Sequence, residues 1–319
     1  MKKIAFHDNN LSLRGTSVAL FDYADYNERI LGNESIIISS PNADLAAYDK
    51  FINRFGREKV ILMDFYDYHT QLPKIGVDYL YIIKSGGRSD GLCSEYIPTL
   101  IHAVFRFNEP HGHRYRYVSD WLASDQGYNP AEYSVPHIVK RLPEPNYNLR
   151  EKLGIGLNKT VFGCLGGSTE FNHRDAREIV ERVSKERDDI LFIFMNIDEF
   201  ANENKNIIHL PGTWDMFEKS SFIMACDAMI HARSGGETFG CAVAEFSIMN
   251  KPVVTYGLSG EKAHLDMLGE RAIIYNTYDE LYDIINNLKQ YIKYDDYYKA
   301  YDNCTPDKIM QIFDKNFLT

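Results

Sequence analysis

Residues 231–255, HARSGGETFGCAVAEFSIMNKPVVT, contain the pattern that decides the fold. A glycine-rich loop opens the stretch: Ser234, Gly235 and Gly236 make it flexible, and Gly240 lets the backbone come close to a ligand. The residues that follow have the apolar spacing of a helix. A loop that leads into a helix presents unpaired N–H groups and the positive end of a dipole. The stretch therefore predicts a turn in an α/β protein that can hold a diphosphate.

Two glutamates frame this turn. Glu237 lies in the predicted loop, and Glu245 follows two helical turns later, near the predicted start of the helix. The predicted helix has one apolar face, formed by Ala242, Val243, Phe246 and Met249. The pattern thus places one carboxylate in the loop and the other on the helix.

The arrangement resembles the donor-site signature of retaining glycosyltransferases of family 4, which have the GT-B fold. The resemblance rests on the following residues: Glu237, the tripeptide Thr238-Phe239-Gly240, Glu245 and residues 250–254, NKPVV. It implies an α/β protein with two Rossmann-like domains facing a central cleft. It also implies a nucleotide-diphosphate sugar as the donor, with no cofactor and no metal.

The resemblance assigns roles to both glutamates. Glu237 would contact the donor sugar as a catalytic residue, and Glu245 would hold the ribose of the nucleotide. The loop residues expected in the donor site are Gly236, Thr238, Phe239 and Gly240. The alternative is that two surface glutamates flank an ordinary buried helix in another α/β protein; the glycines, Phe239 and the strand-like PVV segment favour the glycosyltransferase interpretation.

Composition narrows the class of protein. A chain of 319 residues exceeds what one hydrophobic core usually serves, so two domains are expected. Hydrophobic residues make up 45% and charged residues 25%, values typical of globular proteins. The net charge of −10 argues against a general nucleic-acid binder.

Cysteine usage and hydropathy indicate the compartment. The five cysteines are widely spaced, odd in number and lack metal-ligand spacing, which is typical of reduced thiols. The start, MKKIAFHD, has too few apolar residues for a signal-peptide core, and no run approaches a membrane span. We therefore expect a cytoplasmic protein, and a peripheral contact with a membrane stays open.

Strand-like and helix-like segments alternate through both halves of the chain, which predicts parallel βαβ units. In the first half, the predicted strands are residues 3–6, 35–39, 59–63, 79–83 and 99–105, and the predicted helices are 17–31 and 44–55. In the second half, they are strands 160–164, 190–195, 207–210, 228–231, 253–255 and 272–275, and helices 174–186 and 214–225. A two-domain dehydrogenase would share this alternation, but no G-x-G-x-x-G follows the first strand.

The proline-containing segment 141–148, RLPEPNYN, predicts the linker. We expect an acceptor-binding domain over residues 1–143 and a nucleotide-sugar domain over 144–290. Residues 291–319 are expected to form a C-terminal helix, which the resemblance implies packs back on the first domain. The tyrosines at helical spacing in this tail are Tyr291, Tyr294, Tyr298 and Tyr301.

Two further loops are candidates for the donor phosphates. Gly15 and Thr16 precede the first helix, where a helix N-terminus favours an anion; a plain turn capped by Thr16 or Ser17 is the alternative. Gly167 and Ser168 follow the first strand of the second half. The Arg and Lys that the family usually places after that strand are not matched. Basic candidates in their place are Arg174, Arg233 and Lys262.

Among ten histidines, His102 lies near the end of a predicted strand, where the resemblance implies an active-site histidine. The alternative is a hydrogen-bonded core residue. His111 and His113 flank Gly112 in a loop that could reach the acceptor, but they form no convincing metal site.

The sequence therefore predicts a metal-independent retaining glycosyltransferase, with a glycan or lipid-linked acceptor. A GT-B epimerase or phosphorylase, and a non-catalytic sugar-nucleotide-binding protein, are the alternatives.

Overall fold

The computed structural model describes residues 1–201, 204–293 and 296–319, so Tyr294 lies outside the described part. Two compact units make up the chain. The first consists of residues 1–138 together with 303–319, and the second of residues 139–302. In the described ranges, no helix is long and apolar enough to span a membrane.

A six-stranded parallel sheet forms the centre of the first unit, in the order β3-β2-β1-β4-β5-β6. Its strands are β1 Lys3–Asp8, β2 Glu34–Ser39, β3 Val60–Leu62, β4 Tyr79–Lys84, β5 Thr99–Ala103 and β6 Arg114–Tyr117. Strand β2 is buried at every position after its first, which fits a parallel sheet covered on both faces. Runs of isoleucine and other apolar residues explain why the first five strands were predictable.

Helices of the first unit connect most of these strands. They are α1 Gly15–Arg29, α2 Leu45–Phe55, α3 Phe65–Tyr68, α4 Asp120–Asp125 and α5 Pro130–Tyr133. Helix α2 begins after Asp44, whose side chain accepts a hydrogen bond from the backbone N–H of Ala47 at 3.0 Å. No helix lies between β5 and β6, where residues 104–113 form an irregular connection.

The second unit repeats the architecture with a parallel six-stranded sheet in the order β14-β12-β10-β7-β8-β9. Its strands are β7 Thr160–Leu165, β8 Ile190–Met195, β9 Ile207–Leu210, β10 Ala228–His231, β12 Val253–Tyr256 and β14 Ala272–Tyr275, and a separate small pair is formed by β11 Gly236–Glu237 and β13 Glu261–Lys262. Its helices are α6 Leu149–Lys152, α7 Arg174–Glu186, α8 Met216–Ala225, α9 Cys241–Ile248, α10 Ala263–Leu268, α11 Tyr278–Asn286 and α12 Leu288–Tyr291. The predicted helix over residues 174–186 is confirmed at both ends.

The expectation of one helix over residues 291–319 is wrong. Helix α12 ends at Tyr291, and the next helix, α13, spans Pro306–Phe313. Tyr298 and Tyr301 lie in the non-helical chain between them, where their hydroxyls contact backbone groups: Tyr298 accepts from Lys293 N at 2.7 Å, and Tyr301 donates to Phe239 O at 3.3 Å. The tyrosine spacing therefore reflects separate backbone contacts rather than a helix face.

Helix α13 belongs to the first unit and completes its core. The Phe313 ring is fully buried, with centroids 6.4 Å from Phe6, 5.4 Å from Tyr23 and 5.6 Å from Tyr81. Because buried aromatic rings contribute much of the stability of a core, this end of the chain is needed by the sheet that it covers.

We expect Phe313→Ala to lower the free energy of unfolding of the first unit by about 3–5 kcal/mol, the cost of emptying a buried aromatic site. The control is Phe105→Ala in the same unit, because Phe105 is 44% exposed. Chemical denaturation followed by tyrosine fluorescence would measure both changes, and equal stabilities of the two variants would contradict the packing described.

Candidate functional site

Three loops of the second unit meet at the carboxyl ends of neighbouring parallel strands. His231 ends β10 and pairs in register with Thr255 of β12. The loop after β10 is tied to the loop after β7, because Asn172 Oδ1 accepts hydrogen bonds from the backbone N–H of Ser234 at 2.8 Å and from its hydroxyl at 2.7 Å. The loop after β12 joins through the β11–β13 pair, in which Glu237 lies opposite Lys262. Open parallel sheets bind ligands at this edge.

Glu237 is the best-anchored carboxylate of this site. Its Oε1 lies 3.2 Å from His231 Nε2, and its Oε2 accepts from Arg233 Nη1 at 2.9 Å. Burial favours the neutral acid, but the hydrogen bond from His231 and the charge of Arg233 are among the effects that outweigh it, so the pKa of Glu237 lies below its usual value. Glu237 is therefore ionised at neutral pH, with 18% of its side chain exposed.

A chain of hydrogen bonds supports Glu237 from behind. His231 Nδ1 lies 2.9 Å from Thr255 Oγ1, which in turn lies 3.1 Å from His264 Nε2. Since a carboxylate only accepts, His231 Nε2 must donate to Glu237; Thr255 then donates to His231 Nδ1 and accepts from His264. Burial and the neighbouring His231 lower the pKa of His264 to about 3, so His264 is neutral, and its Nε2–H tautomer donates to Thr255. The chain orients the imidazole that holds the glutamate.

Arg233 lies between two carboxylates. Besides Glu237, its Nε contacts Glu170 Oε2 at 2.5 Å. Burial raises the pKa of Glu170, and the charge of Arg233 opposes that effect. Because Arg233 is already compensated, it provides less positive charge for a diphosphate than the sequence suggested.

The backbone geometry of the loop explains why glycine occupies two of its positions. Gly236 has φ +82°, and a Cβ there would lie 1.9 Å from the Glu261 carbonyl oxygen. Gly240 has φ +89° and precedes the first residue of α9. A Cβ added at Gly240 would lie only 3.1 Å from the Cβ of His264. Thr238 and Phe239 are buried, and the Phe239 ring contacts Tyr301 at a centroid distance of 5.7 Å. Phe239 thus supports the loop from the core side.

Glu245 lies in the middle of α9 rather than near its start. Its Oε1 accepts a hydrogen bond from Lys219 Nζ of α8 at 2.7 Å, and the two side chains are 16% and 12% exposed. Within the described ranges, its Oε2 has no hydrogen-bond donor. The free oxygen is the one that could accept from a ligand hydroxyl.

The candidate cations differ in placement. Arg174 is the first residue of α7 and is exposed, two residues after Asn172, which is bonded to the β10 loop. Lys262 is exposed and paired with Glu237 across the small sheet. Gly167 and Ser168 lie in the β7 loop, where the Ser168 carbonyl accepts from Asp198 N at 2.8 Å. The structure thus brings Arg174, Lys262 and the β7 loop to the edge occupied by Glu237.

The first-unit candidates Gly15 and Thr16 lie at the start of α1. Gly15 is its first residue, and Arg14 precedes it without a side-chain cap, so capping by Thr16 or Ser17 is wrong. The Ser17 hydroxyl instead donates to Asp8 Oδ2 at 2.6 Å. Burial raises the pKa of Asp8, and hydrogen bonds from Ser17 and Thr16 counteract it. A carboxyl group at this helix start disfavours a phosphate there.

His102 is a core residue of β5. It is 0% exposed; its Nδ1 lies 2.6 Å from the Tyr81 hydroxyl and its Nε2 2.9 Å from the Val135 carbonyl oxygen. Burial, aided by the nearby His137, holds the pKa of His102 well below its usual value. Both ring nitrogens are occupied, so the placement corrects the active-site expectation in favour of the structural alternative.

Sequence reasoning missed Glu170, Thr255 and His264, and gave no role to His231. Glu170 lies in the loop after β7, Thr255 in β12, His264 in α10 and His231 at the end of β10. The only signal for them was that neighbouring parallel strands end at the same edge. No group of three or more His, Cys, Asp and Glu side chains suited to a metal ion occurs among the described residues.

Comparison with solved structures identifies the fold. A glycosyltransferase from Rickettsia africae superposes with a TM-score of 0.65 at 14% identity, covering 99% of this chain and 95% of that one. Anabaena HepE in complex with UDP-glucose gives 0.66 at 15%, covering 99% and 96%. A putative UDP-N-acetylglucosamine 2-epimerase from Listeria monocytogenes gives 0.65 at 12%, covering 97% and 94%.

These similarities show that the chain has the GT-B fold, with two Rossmann-like domains, as the sequence predicted. No protein-family model matches the sequence. A comparison with curated proteins finds no significant match.

Two adjacent glycines test the loop geometry. We expect Gly236→Ala to lower the free energy of unfolding of the second unit by about 2 kcal/mol or more, because alanine must adopt a positive φ and its Cβ meets backbone. Gly235→Ala is the matched control, since no atom lies within 4 Å of its added Cβ and its φ is not positive. Thermal unfolding compares them; equal midpoints would show that the β11–β13 pair does not require Gly236.

Proposed function

We propose that the protein is a retaining glycosyltransferase that takes a sugar from a nucleotide-diphosphate donor. The observation that carries this proposal is the Glu237 carboxylate, kept ionised by His231 and Arg233 beside a loop that leads into α9. The GT-B fold supports it, because the similar HepE structure contains UDP-glucose and the similar Rickettsia protein is a glycosyltransferase.

In the proposed reaction, the bond between the sugar C1 and the donor phosphate oxygen breaks, and its electron pair leaves with the diphosphate. The sugar becomes oxocarbenium-like, and an acceptor hydroxyl attacks the same face while its proton passes to the departing phosphate oxygen. N–H groups at the start of α9, with Lys262 and Arg174, would stabilise the developing phosphate charge. Glu237 would orient the sugar hydroxyls, and Glu245 would accept from the ribose through its Oε2.

The acceptor in this proposal is a glycan, a lipid-linked saccharide or another hydroxyl compound. In this proposal the reaction needs no cofactor, and the protein acts in the cytoplasm.

An epimerase is the second candidate, because the Listeria structure described as a putative UDP-N-acetylglucosamine 2-epimerase superposes equally well. An epimerase would convert the nucleotide sugar without any acceptor. A non-catalytic binding protein would show neither conversion, transfer nor donor hydrolysis. Incubating the protein with UDP-sugars and separating the products by chromatography distinguishes all three.

The two glutamates should give opposite kinetic patterns. We expect Glu237→Gln to lower turnover by 100-fold or more, roughly the loss of one preorganised transition-state contact, with almost unchanged UDP affinity. Glu245→Ala should weaken UDP by about 1.5–3 kcal/mol, the range for a hydrogen bond to a charged group. Calorimetry and a donor-hydrolysis assay measure these changes. Near wild-type turnover of Glu237→Gln would end its assignment.

Lys219→Met is the control for Glu245, because it removes the same ion pair and leaves the carboxylate in place. If Glu245 binds the ribose, Lys219→Met should retain UDP affinity. Equal losses in both variants would mean that Glu245 acts only by holding α8 and α9 together.

We expect donor turnover to survive a chelator, because the proposed stabilisation of the leaving group uses N–H groups and cationic side chains. Turnover is compared before and after EDTA treatment, and again after magnesium or manganese is added. Activity that disappears with EDTA and returns with either metal would contradict this leaving-group chemistry.

A further inference from the structure

A basic cavity lies beside the edge strand β6 in the first unit. Its volume is about 680 Å³, a size typical of small-molecule sites. The whole chain carries a net charge of −10, yet no Asp or Glu among the described residues lines this cavity. Its polar walls are formed by Arg88, His111, His113, Arg114 and Arg116.

The positive charge on β6 is largely uncompensated. Arg114 and Arg116 alternate with the buried Tyr115 and Tyr117, so they lie on one side of the strand. Within the described ranges, neither arginine forms a salt bridge with a carboxylate. Burial and the charge of Arg114 lower the pKa of Arg116. The nearby Glu132 opposes this effect without forming an ion pair, so the two arginines on one side of the strand are suited to an anion.

Arg116 also has an unused donor. Its Nη1 donates to the Tyr115 carbonyl at 2.9 Å, but its Nε is buried without a hydrogen-bond partner. The guanidinium carbon lies 4.9 Å from the centroid of the Tyr133 ring, within the range of a cation–π contact. A buried N–H without an acceptor is unfavourable, so a bound oxyanion would satisfy a group that this chain leaves open.

The walls of the cavity are well anchored. The buried Lys84 side chain contacts Asp90 and lies 3.1 Å from His111 Nε2. The backbone N–H of Arg88 donates to Glu109 Oε2 at 2.7 Å. Gly112 has φ +75°, and a Cβ there would lie 2.8 Å from the Thr99 carbonyl oxygen, so the loop approaches β5 too closely for a side chain. A fixed wall reduces the entropy lost on binding.

We propose that this cavity binds a saccharide carrying an oxyanion, a phosphate or a carboxylate, through Arg114 and Arg116. The guanidinium forks match either oxyanion, and the half-buried Tyr133, which lines the cavity, offers apolar ring surface to the sugar beside Arg116. The identity of this ligand rests on the proposed transferase function: in that reaction the charged saccharide is the acceptor, and the enzyme selects charged acceptors.

Cys93 provides a local probe, because it lines the cavity and is half-buried. We expect glucose 6-phosphate or glucuronate to slow the alkylation of Cys93, measured by mass spectrometry of its peptide, and glucose to have no effect. The phosphate and carboxylate sources are distinguished by which of the two charged sugars protects. The buried cysteines Cys164, Cys226 and Cys304 serve as a check on folding.

Arg116→Gln and Arg114→Gln should each weaken this protection about tenfold or more, the effect of losing one charged hydrogen bond. Arg57→Gln is the matched control, because it removes the same charge at an exposed residue. Arg57 precedes β3, at the opposite edge of the sheet. If Arg116→Gln fails to fold, Arg114→Gln, which leaves Arg116 and its Tyr133 contact in place, carries the test.

Equal protection by glucose, no protection by either charged sugar, or variants that behave like the wild type would overturn the cavity proposal. UDP affinity is measured in the same samples. Protection without UDP binding or transfer would support the proposed saccharide site and reject the transferase function. UDP binding and transfer without protection would support the transferase function and reject the saccharide site.

Discussion

The pairing of β10 with β12 in parallel register is the constraint on which the candidate site depends. Because His231 lies opposite Thr255, the histidine and the hydroxyl meet at the same edge of the sheet. His264 completes the chain from the helix that follows β13. A shift of one residue would turn His231 to the other face of the sheet and leave Glu237 without its donor. The local chemistry therefore follows from a backbone register set by apolar packing.

The network also determines how charge is distributed. A buried carboxylate is unfavourable unless hydrogen bonds satisfy it, and Glu237 receives one bond at each oxygen. Arg233 meets this need, and its second contact with Glu170 leaves it with little free charge. A diphosphate at this edge would therefore depend on backbone N–H groups and on exposed cations such as Lys262. This explains how a donor site could work without the Arg and Lys pair that the resemblance leads one to expect.

The sequence predicted what depends on local pattern. Strands β8, β9, β10 and β14 and helix α7 are apolar runs or amphipathic segments bounded by turns, and their bounds were predicted correctly. Strand β6 was missed because RYRY has too few apolar residues, although its tyrosines are buried. The predicted helix over the C-terminal tyrosines failed because the backbone there bonds to a distant segment: Tyr298 N–H donates to Asn250 Oδ1, and the Tyr298 carbonyl accepts from the Ser247 hydroxyl.

The same limit applies to the site. Glu237 and the glycines were visible because they lie within one short stretch. His264 and Glu170 were not, because they reach the site from α10 and from the loop after β7. His102 shows the converse error: a histidine at a strand end looks functional in sequence, yet the Tyr81 hydroxyl and the Val135 carbonyl occupy both of its nitrogens. The type of a residue and its position along a strand do not reveal whether its polar atoms are already hydrogen-bonded to residues distant in sequence.

The basic cavity of the first unit must act at short range. At physiological ionic strength, charges are screened over about 8 Å, so an approaching anion responds mainly to nearby groups rather than to the net charge of −10. At lower salt the screening length grows, and the acidic remainder of the surface would repel the anion before Arg114 and Arg116 attract it. The selectivity of the proposed site would therefore depend on close contact with the guanidinium groups of Arg114 and Arg116, which line the cavity.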